Sequence, residues 1–365
     1  MKYIIDSKNR TPAYLQLYTE LRDDIVGGIY PPGTKLPSKR VMASDAGVST
    51  VTVEHAYALL CDEGYVEARE RSGYFVIFRT DDGFVPVSGA IATYERKPVQ
   101  HSTTEAEFPF SVLMKTMRSV IADRGEGILD RSENQGCMEL RSAVRMYLAK
   151  SRGIIADAEQ IVIGSGSEYL YTLLIQLLGK NRTFAIETPS YKKIEQVYTA
   201  SGVSLEKLPL GNDGIDSAAL RDCDADVLHI SPYRSYPSGV SATASKRHEY
   251  LRWADSSDRL IIEDDFESEF SVSKKPEETL FSHSHKDNVI YMNTFSKTVS
   301  PSFRAGYMVL PKALAKSYRE NLGFYSCTVP TYIQFVLAQL ITNGDFERHI
   351  NRVRRLKRKE LKQEK

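Results

Sequence analysis

Between residues 11 and 64, apolar side chains recur at helical spacing in three short runs separated by turn residues. Tyr14, Leu17, Tyr18, Leu21 and Ile25 mark the first face, with Thr11 placed to cap it, Pro12 at its first position and Gly27-Gly28 at its end. After the turn Pro31-Pro32-Gly33, Ser38 caps a shorter helix that runs through Met42 and Ala43 and ends near Gly47. Ser49 caps a third, whose stripe is Val53, Ala56, Tyr57 and Leu60 and whose stop is Gly64. The period then changes from 3.6 to 2. Residues 65–68 and 74–77 alternate around a turn holding Arg69, Arg71 and Gly73, which predicts a β-hairpin. Helix, tight turn, helix and hairpin, in that order, predict a winged helix-turn-helix over residues 1–78.

Residues 79–104 carry no period and contain Asp81-Asp82-Gly83, Pro86, Gly89 and Pro98, which predicts a linker. From about 105 to 365 strand and helix patterns alternate. Short β-rich runs fall at 160–163, 183–186, 227–230, 260–262, 289–292 and 307–310, with helical runs such as 168–178 and 246–253 between them. That alternation predicts an α/β domain, a mostly parallel sheet with helices on both faces. Sites in such folds gather at the carboxyl ends of the strands.

The composition is that of an ordinary globular chain: 365 residues, 42% hydrophobic, 26% charged. With 48 Lys+Arg against 47 Asp+Glu, any attraction to nucleic acid has to come from local clusters. The longest apolar candidate for a membrane span, 169–178, is interrupted by Thr172 and Gln176, and the first residues lack a signal-peptide core. A cytoplasmic location is therefore expected. Cys61, Cys137, Cys223 and Cys327 are scattered, and the His283/His285 pair lies among polar residues, so no metal site is expected.

A recognition helix presents its first turn to the major groove. Here that turn is Ser49, Thr50, Val51 and Thr52, with Glu54 and His55 on the face away from the apolar stripe. Lys35, Lys39 and Arg40 precede it where phosphates would lie, and Arg69 and Arg71 sit near the wing tip. Residues 1–80 hold ten basic and ten acidic side chains, so these charges equally fit a solvated surface. The run Pro31 to Arg40, then Ala46-Gly47-Val48-Ser49 with Thr52-Val53, then Glu63-Gly64-Tyr65, resembles the GntR-type winged helix. The resemblance implies a DNA contact for Arg40. Where the family often carries arginines in the recognition helix, this chain has Thr50 and Glu54.

In the second domain, Gly164-Ser165-Gly166-Ser167-Glu168 follows a strand and opens a helix, which fits a phosphate cradle or simply a tight turn. Lys297, in Thr294-Phe295-Ser296-Lys297, stands at a strand's carboxyl end, where a lysine can act as a nucleophile. Arg304 offers a guanidinium fork for phosphate, and Asp264 ends a buried strand where a carboxylate needs a cationic partner. Together they resemble a fold-type-I aminotransferase domain that binds pyridoxal 5′-phosphate (PLP). The resemblance implies that Lys297 carries the cofactor as a Schiff base and that Asp264 partners the pyridine nitrogen. It implies Tyr191 as the stacking aromatic, and Ser165, Gly166, Ser167, Thr294 and Arg304 as the phosphate site. Gln135-Gly136 with Leu140-Arg141 fits the same family.

A winged helix fused to such a domain resembles the MocR (GabR-like) subfamily of GntR-type bacterial regulators over essentially the whole chain. Three departures stand out. Phe266 and Tyr236 replace a tyrosine and an asparagine that contact the cofactor's ring oxygen in relatives, and the small C-terminal domain of the subfamily is expected to be missing. The function expected is a homodimeric, sequence-specific DNA-binding regulator that recognises two half-sites and senses PLP or an amine or amino-acid effector. At most a partial transamination half-reaction is expected. The alternative is an active PLP-dependent aminotransferase that carries a DNA-binding domain.

Overall fold

The computed structural model describes residues 3, 5, 6, 9, 11–79, 107–265, 268–271 and 278–363. The linker expected at 79–104 lies outside the described residues from 80 onward, as does Phe266. The chain divides into two units, Met1–Val99 and Gln100–Lys365.

The first unit is built from α1 (Ala13–Val26), α2 (Lys39–Ala46), α3 (Thr50–Asp62), β1 (Val66–Arg69) and β2 (Gly73–Val76). Its mixed order follows the punctuation in the sequence. Pro12, expected as the first helical residue, instead occupies the N-cap position of α1, and no side chain caps that end. Ser38 and Ser49 cap α2 and α3 by accepting from the backbone N–H of Val41 and Thr52. Gly47 ends α2 in the left-handed conformation that a side chain would strain. The expected stripe Val53, Ala56, Tyr57 and Leu60 is fully buried, packed with Leu17, Leu21, Leu36 and Met42. β1 and β2 pair antiparallel, Val66 opposite Val76, and form the wing. Its tip includes Arg71, held at φ 56°.

The second unit begins with α4 (Phe110–Arg124) and α5 (Met138–Arg152). The chain then alternates: β3 (Ile161–Gly164), α6 (Ser167–Leu178), β4 (Thr183–Thr188), α7 (Lys192–Ala200), β5 (Ser204–Pro209), α8 (Ser217–Asp222) and β6 (Val227–Ile230). It continues through α9 (Ala244–Asp255), β7 (Leu260–Asp264), α10 (Leu280–His283), β8 (Val289–Thr294) and β9 (Gly306–Val309). Three helices follow, α11 (Lys312–Asn321), α12 (Thr331–Thr342) and α13 (Asp345–Gln363). The strands form a seven-stranded sheet in the order β3-β9-β8-β7-β6-β4-β5. β9 runs antiparallel to both its neighbours; the other pairs are parallel. The sequence pattern did not predict β5. Its residues are exposed or half-buried except Leu208, because an edge strand needs no continuous apolar run.

Alternation along each strand assigns its residues to two faces. Val162, Ile186, Val227, Ile262, Ile290, Met292 and Met308 pack under α6, α7 and α11. Ile161, Ile163, Tyr291, Tyr307 and Val309 pack under α5, α12 and α13, while Leu228, Ile230, Ile261 and Val289 pack under α8 and α9. Among the described residues no helix is long and apolar enough to cross a membrane.

Beneath the carboxyl ends of β7 and β8 lies a buried ionic cluster. Arg152, the last residue of α5, donates from Nε to Asp265 at 3.1 Å and from Nη2 to the Ser268 hydroxyl. Glu269 lies 3.9 Å from the same guanidinium and accepts from Asn293 at 2.7 Å, and Tyr291 donates to Asp265 at 2.7 Å. Burial pushes the Glu269 carboxyl up to about 7 even with Arg152 beside it. Arg152 thereby ties the turn after β7 to the far side of the sheet. Replacing Arg152 with Met should cost about 3–5 kcal/mol, because it leaves acidic groups buried without a cation. Urea unfolding followed by the fluorescence of Trp253, the chain's one tryptophan, measures this.

Candidate cofactor site and nucleic-acid face

Strand direction decides where the chemistry gathers. β3, β4, β6, β7 and β8 all end on one side of the sheet, and antiparallel β9 begins there. Each supplies a residue as it leaves the sheet: Ser167 after β3, Tyr191 after β4, Ser231 after β6, Asp264 on β7, and Thr294 with Lys297 at and after β8. Arg304 precedes β9. These line one pocket of about 290 Å³, together with Glu168, Tyr171, Lys193 and Tyr236. Six of the eight expected cofactor residues therefore meet in one cavity: Ser167, Tyr191, Asp264, Thr294, Lys297 and Arg304.

Ser165 and Gly166 do not line it; they form the turn that leads into α6. Gly166 is the N-cap residue of α6 at φ 94°, a conformation that favours glycine, and a Cβ there would lie 3.3 Å from Arg304 Nη2. The missing side chain makes room for the guanidinium. Arg304 itself takes the left-handed conformation at φ 46°.

Asp264 is 2% exposed. Its Oδ2 accepts from the Tyr171 hydroxyl at 2.5 Å and lies 3.6 Å from His229 Nε2. Tyr198 bonds the other ring nitrogen of His229 at 2.6 Å. Burial and the nearby Asp264 carboxylate push the hydroxyls of Tyr171 and Tyr198 well above the usual tyrosine range. Oδ1 of Asp264 is buried without a hydrogen-bond partner among the described residues. A buried carboxylate oxygen left unpaired costs free energy, and of the carboxylates in that condition Asp264 is the one whose residue lines the pocket. Tyr236 stands at the mouth, 54% exposed, its ring edge-on to Tyr191 at 6.1 Å.

The anion-binding groups of the pocket are already engaged with the chain itself. Glu168, the second residue of α6, accepts from Arg304 at 2.6 Å and from Lys193. These bonds, that to Lys193 foremost, hold its carboxyl below the usual range.

In the first unit, Thr50 and Val51 are exposed at the start of α3. The hydroxyls of Ser49 and Thr52 bond each other at 2.8 Å, so both also serve the helix cap. Lys39 pairs with Glu54 of α3 at 2.6 Å. Arg69 pairs with Glu67 at 3.1 Å and lies over the Phe75 ring at 4.5 Å. Lys35 reaches the same ring at 6.0 Å. Arg40 and Arg71 are exposed, and His55 packs edge-on against Tyr14 of α1.

Residues 13–76 match the gntR family of bacterial regulatory proteins, and residues 102–363 match aminotransferase class I and II. The chain is 32% identical to YdeL, an HTH-type transcriptional regulator of Bacillus subtilis, covering 96% of this chain and 78% of that one. It is 28% identical to the probable rhizopine catabolism regulatory protein MocR of Rhizobium meliloti, over 97% of this chain and 76% of the relative. The chain belongs to the MocR-type subfamily of GntR regulators. A solved kynurenine aminotransferase of Pyrococcus horikoshii superposes with a TM-score of 0.62 at 25% identity. The match covers 68% of this chain and 64% of that enzyme, just under two thirds of its length. The MocR-type chain is thus a transcriptional regulator with a winged helix-turn-helix unit and an aminotransferase-like domain.

Several pocket residues of this MocR-type chain were not named as site residues from the sequence, Glu168, Tyr171, Lys193 and Ser231 among them. Glu168 and Tyr171 are three positions apart on α6, and Tyr171 follows Ser167 by four, so helical spacing from the glycine turn was a usable signal for both. Lys193 carried none.

Close by, Glu187 on β4 is 5% exposed and accepts from the Ser235 hydroxyl. Burial pushes its carboxyl up to about 7. The folded pKa lies above the ordinary carboxyl value, so its contribution to stability is full below about 4.5 and is lost as pH rises through 7. Replacing Glu187 with Gln should abolish that part of the decline. The gap between variant and parent should shift in the variant's favour between pH 4.5 and 7.5, read by thermal unfolding.

Proposed function

We propose that the aminotransferase-like domain holds pyridoxal 5′-phosphate on Lys297 and senses PLP itself or an amine or amino-acid effector, changing how a homodimer engages two DNA half-sites. In this reading residues 1–78 bind DNA, 79–104 connect, and 105–365 bind the cofactor and dimerise. The observation that carries it is the buried, unpartnered Oδ1 of Asp264 in the same pocket as Lys297, Tyr191 and Arg304. A pyridinium N–H fits that oxygen, a phosphate fits the Arg304 fork and the start of α6, and the Tyr191 ring offers an aromatic face. When bound, PLP supplies an electrophilic carbon and an electron-withdrawing ring. The chain's own part is to bind and orient. Asp264, braced by Tyr171, holds the ring proton; Thr294 and Ser167 add hydroxyls at the phosphate; Ser165 and Gly166 shape the turn that delivers α6.

By the family resemblance, the residues at positions 266 and 236 bind the ring oxygen; the phenylalanine and tyrosine of this sequence drop those hydrogen bonds, which retunes the cofactor without preventing its attachment and counts against efficient turnover. Lys297→Ala should abolish the mass added at that residue by borohydride reduction of PLP-treated protein; label fixed elsewhere in the variant refutes the assignment. Multiple-turnover transamination should be negligible, and a rate on the order of 10 per second would favour the enzyme reading.

On the DNA side, the proposed contacts are Lys35, Lys39, Arg40, Ser49, Thr50, Thr52, Arg69 and Arg71. Arg40→Ala should weaken binding evenly across sequences and reduce the log–log salt slope by about one, as loss of one phosphate contact does. Thr50→Ala should instead cost about 1–3 kcal/mol at particular base pairs. Mobility-shift titrations over a salt series separate the two. An Arg40 effect that depends on base sequence would place that arginine at a base edge.

A further inference from the structure

The phosphate end of the pocket carries its own anion. The carboxylate of Glu168 bonds Arg304 at 2.6 Å through one oxygen and Lys193 through the other. It sits in the first turn of α6, where unpaired backbone N–H groups and the helix dipole favour negative charge. The cations that would receive a phosphate are therefore the ones that hold Glu168. Arg304 and Lys193 sum to +2, and Glu168 reduces this to +1. A phosphate dianion entering beside Glu168 leaves the cup at −1, whereas without that carboxylate the cup would be neutral.

We infer that Glu168 is the affinity-setting residue of the cofactor site, an internal competitor that a phosphate has to displace from Arg304 and Lys193. The side chains of Arg304, Glu168 and Lys193 are 54%, 29% and 49% exposed, and ion pairs that exposed are weak. A dianion held by a guanidinium fork and helix N–H groups can open them, at a reduced net affinity. The consequence is an exchangeable cofactor whose occupancy follows the free PLP concentration. Displacement also reaches beyond the phosphate. Lys193 lies in the first turn of α7, two residues after Tyr191, so the Glu168–Lys193 pair ties α6 to the start of α7 beside the aromatic face of the pocket. Loading the site breaks that tie. This inference deepens the proposed function and rests on its assignment of the phosphate to Arg304.

The test uses the full chain, its Glu168→Gln variant, which keeps the side-chain volume, and Glu168→Ala. Each is titrated with PLP and, separately, with pyridoxal, which has the same ring and aldehyde but no phosphate. Bound ligand is read by absorbance, and borohydride reduction with peptide mass locates it. Both variants should bind PLP at least tenfold more tightly than the parent, with pyridoxal affinity unchanged. Equal PLP affinity in all three proteins, with label on Lys297, overturns the role of Glu168 and leaves the proposed cofactor site standing. A parallel gain for pyridoxal also overturns it, because the effect would not lie at the phosphate. Failure of every protein to take PLP on Lys297 refutes the proposed function and this inference with it.

Discussion

Asp264 is the last residue of a strand covered on both faces, and a carboxylate in that position needs partners from every side. Much of the second unit is arranged around that need. Strand alternation puts Asp264 on the same face as His229, the face roofed by α6 and α7, and those helices bring Tyr171 and Tyr198 to complete the set. On the opposite face, Glu263 accepts from the backbone N–H groups of Leu280 and Phe281, and Arg152 holds Asp265. Three successive acidic residues are thus satisfied by three different structures. What remains is one oxygen each of Asp264 and Asp265, buried without a hydrogen-bond partner among the described residues, and of the two residues Asp264 lines the pocket.

That arrangement leaves the pocket buried at its base and exposed at its rim. The base is made of strand ends such as Asp264 and Thr294, which are almost wholly inaccessible. The rim is made of exposed side chains, Lys193, Arg304 and Tyr236, joined by pairs that water screens.

The near balance of charge over the whole chain, 48 basic against 47 acidic residues, is reproduced locally in both units. Glu168 occupies the cations of the pocket, Glu54 occupies Lys39, and Glu67 occupies Arg69. In the winged helix this leaves Lys35, Arg40 on α2 and Arg71 at the wing tip as exposed basic groups without an acidic partner among the described residues. Non-specific attraction to DNA phosphates falls with each cation neutralised.

By itself the sequence determined the parts that local chemistry controls. Ser38, Ser49, Gly47 and Gly64 punctuate the winged helix because caps and stops act within a few residues. Buried strands such as Val227–Ile230 announce themselves as apolar runs, and Lys297, Asp264 and Arg304 follow strands or precede them in a legible order. β5 stayed hidden because an edge strand half in water carries Glu206 and Lys207 without penalty. Only the tertiary structure decided which charges meet. Glu168 and Arg304 are separated by 136 residues, and Arg152 and Asp265 by 113. Lys39 and Glu54 face each other only because α2 crosses α3. Pairings of that kind depend on how strands are ordered in the sheet and how helices cross, and no spacing along the chain encodes them.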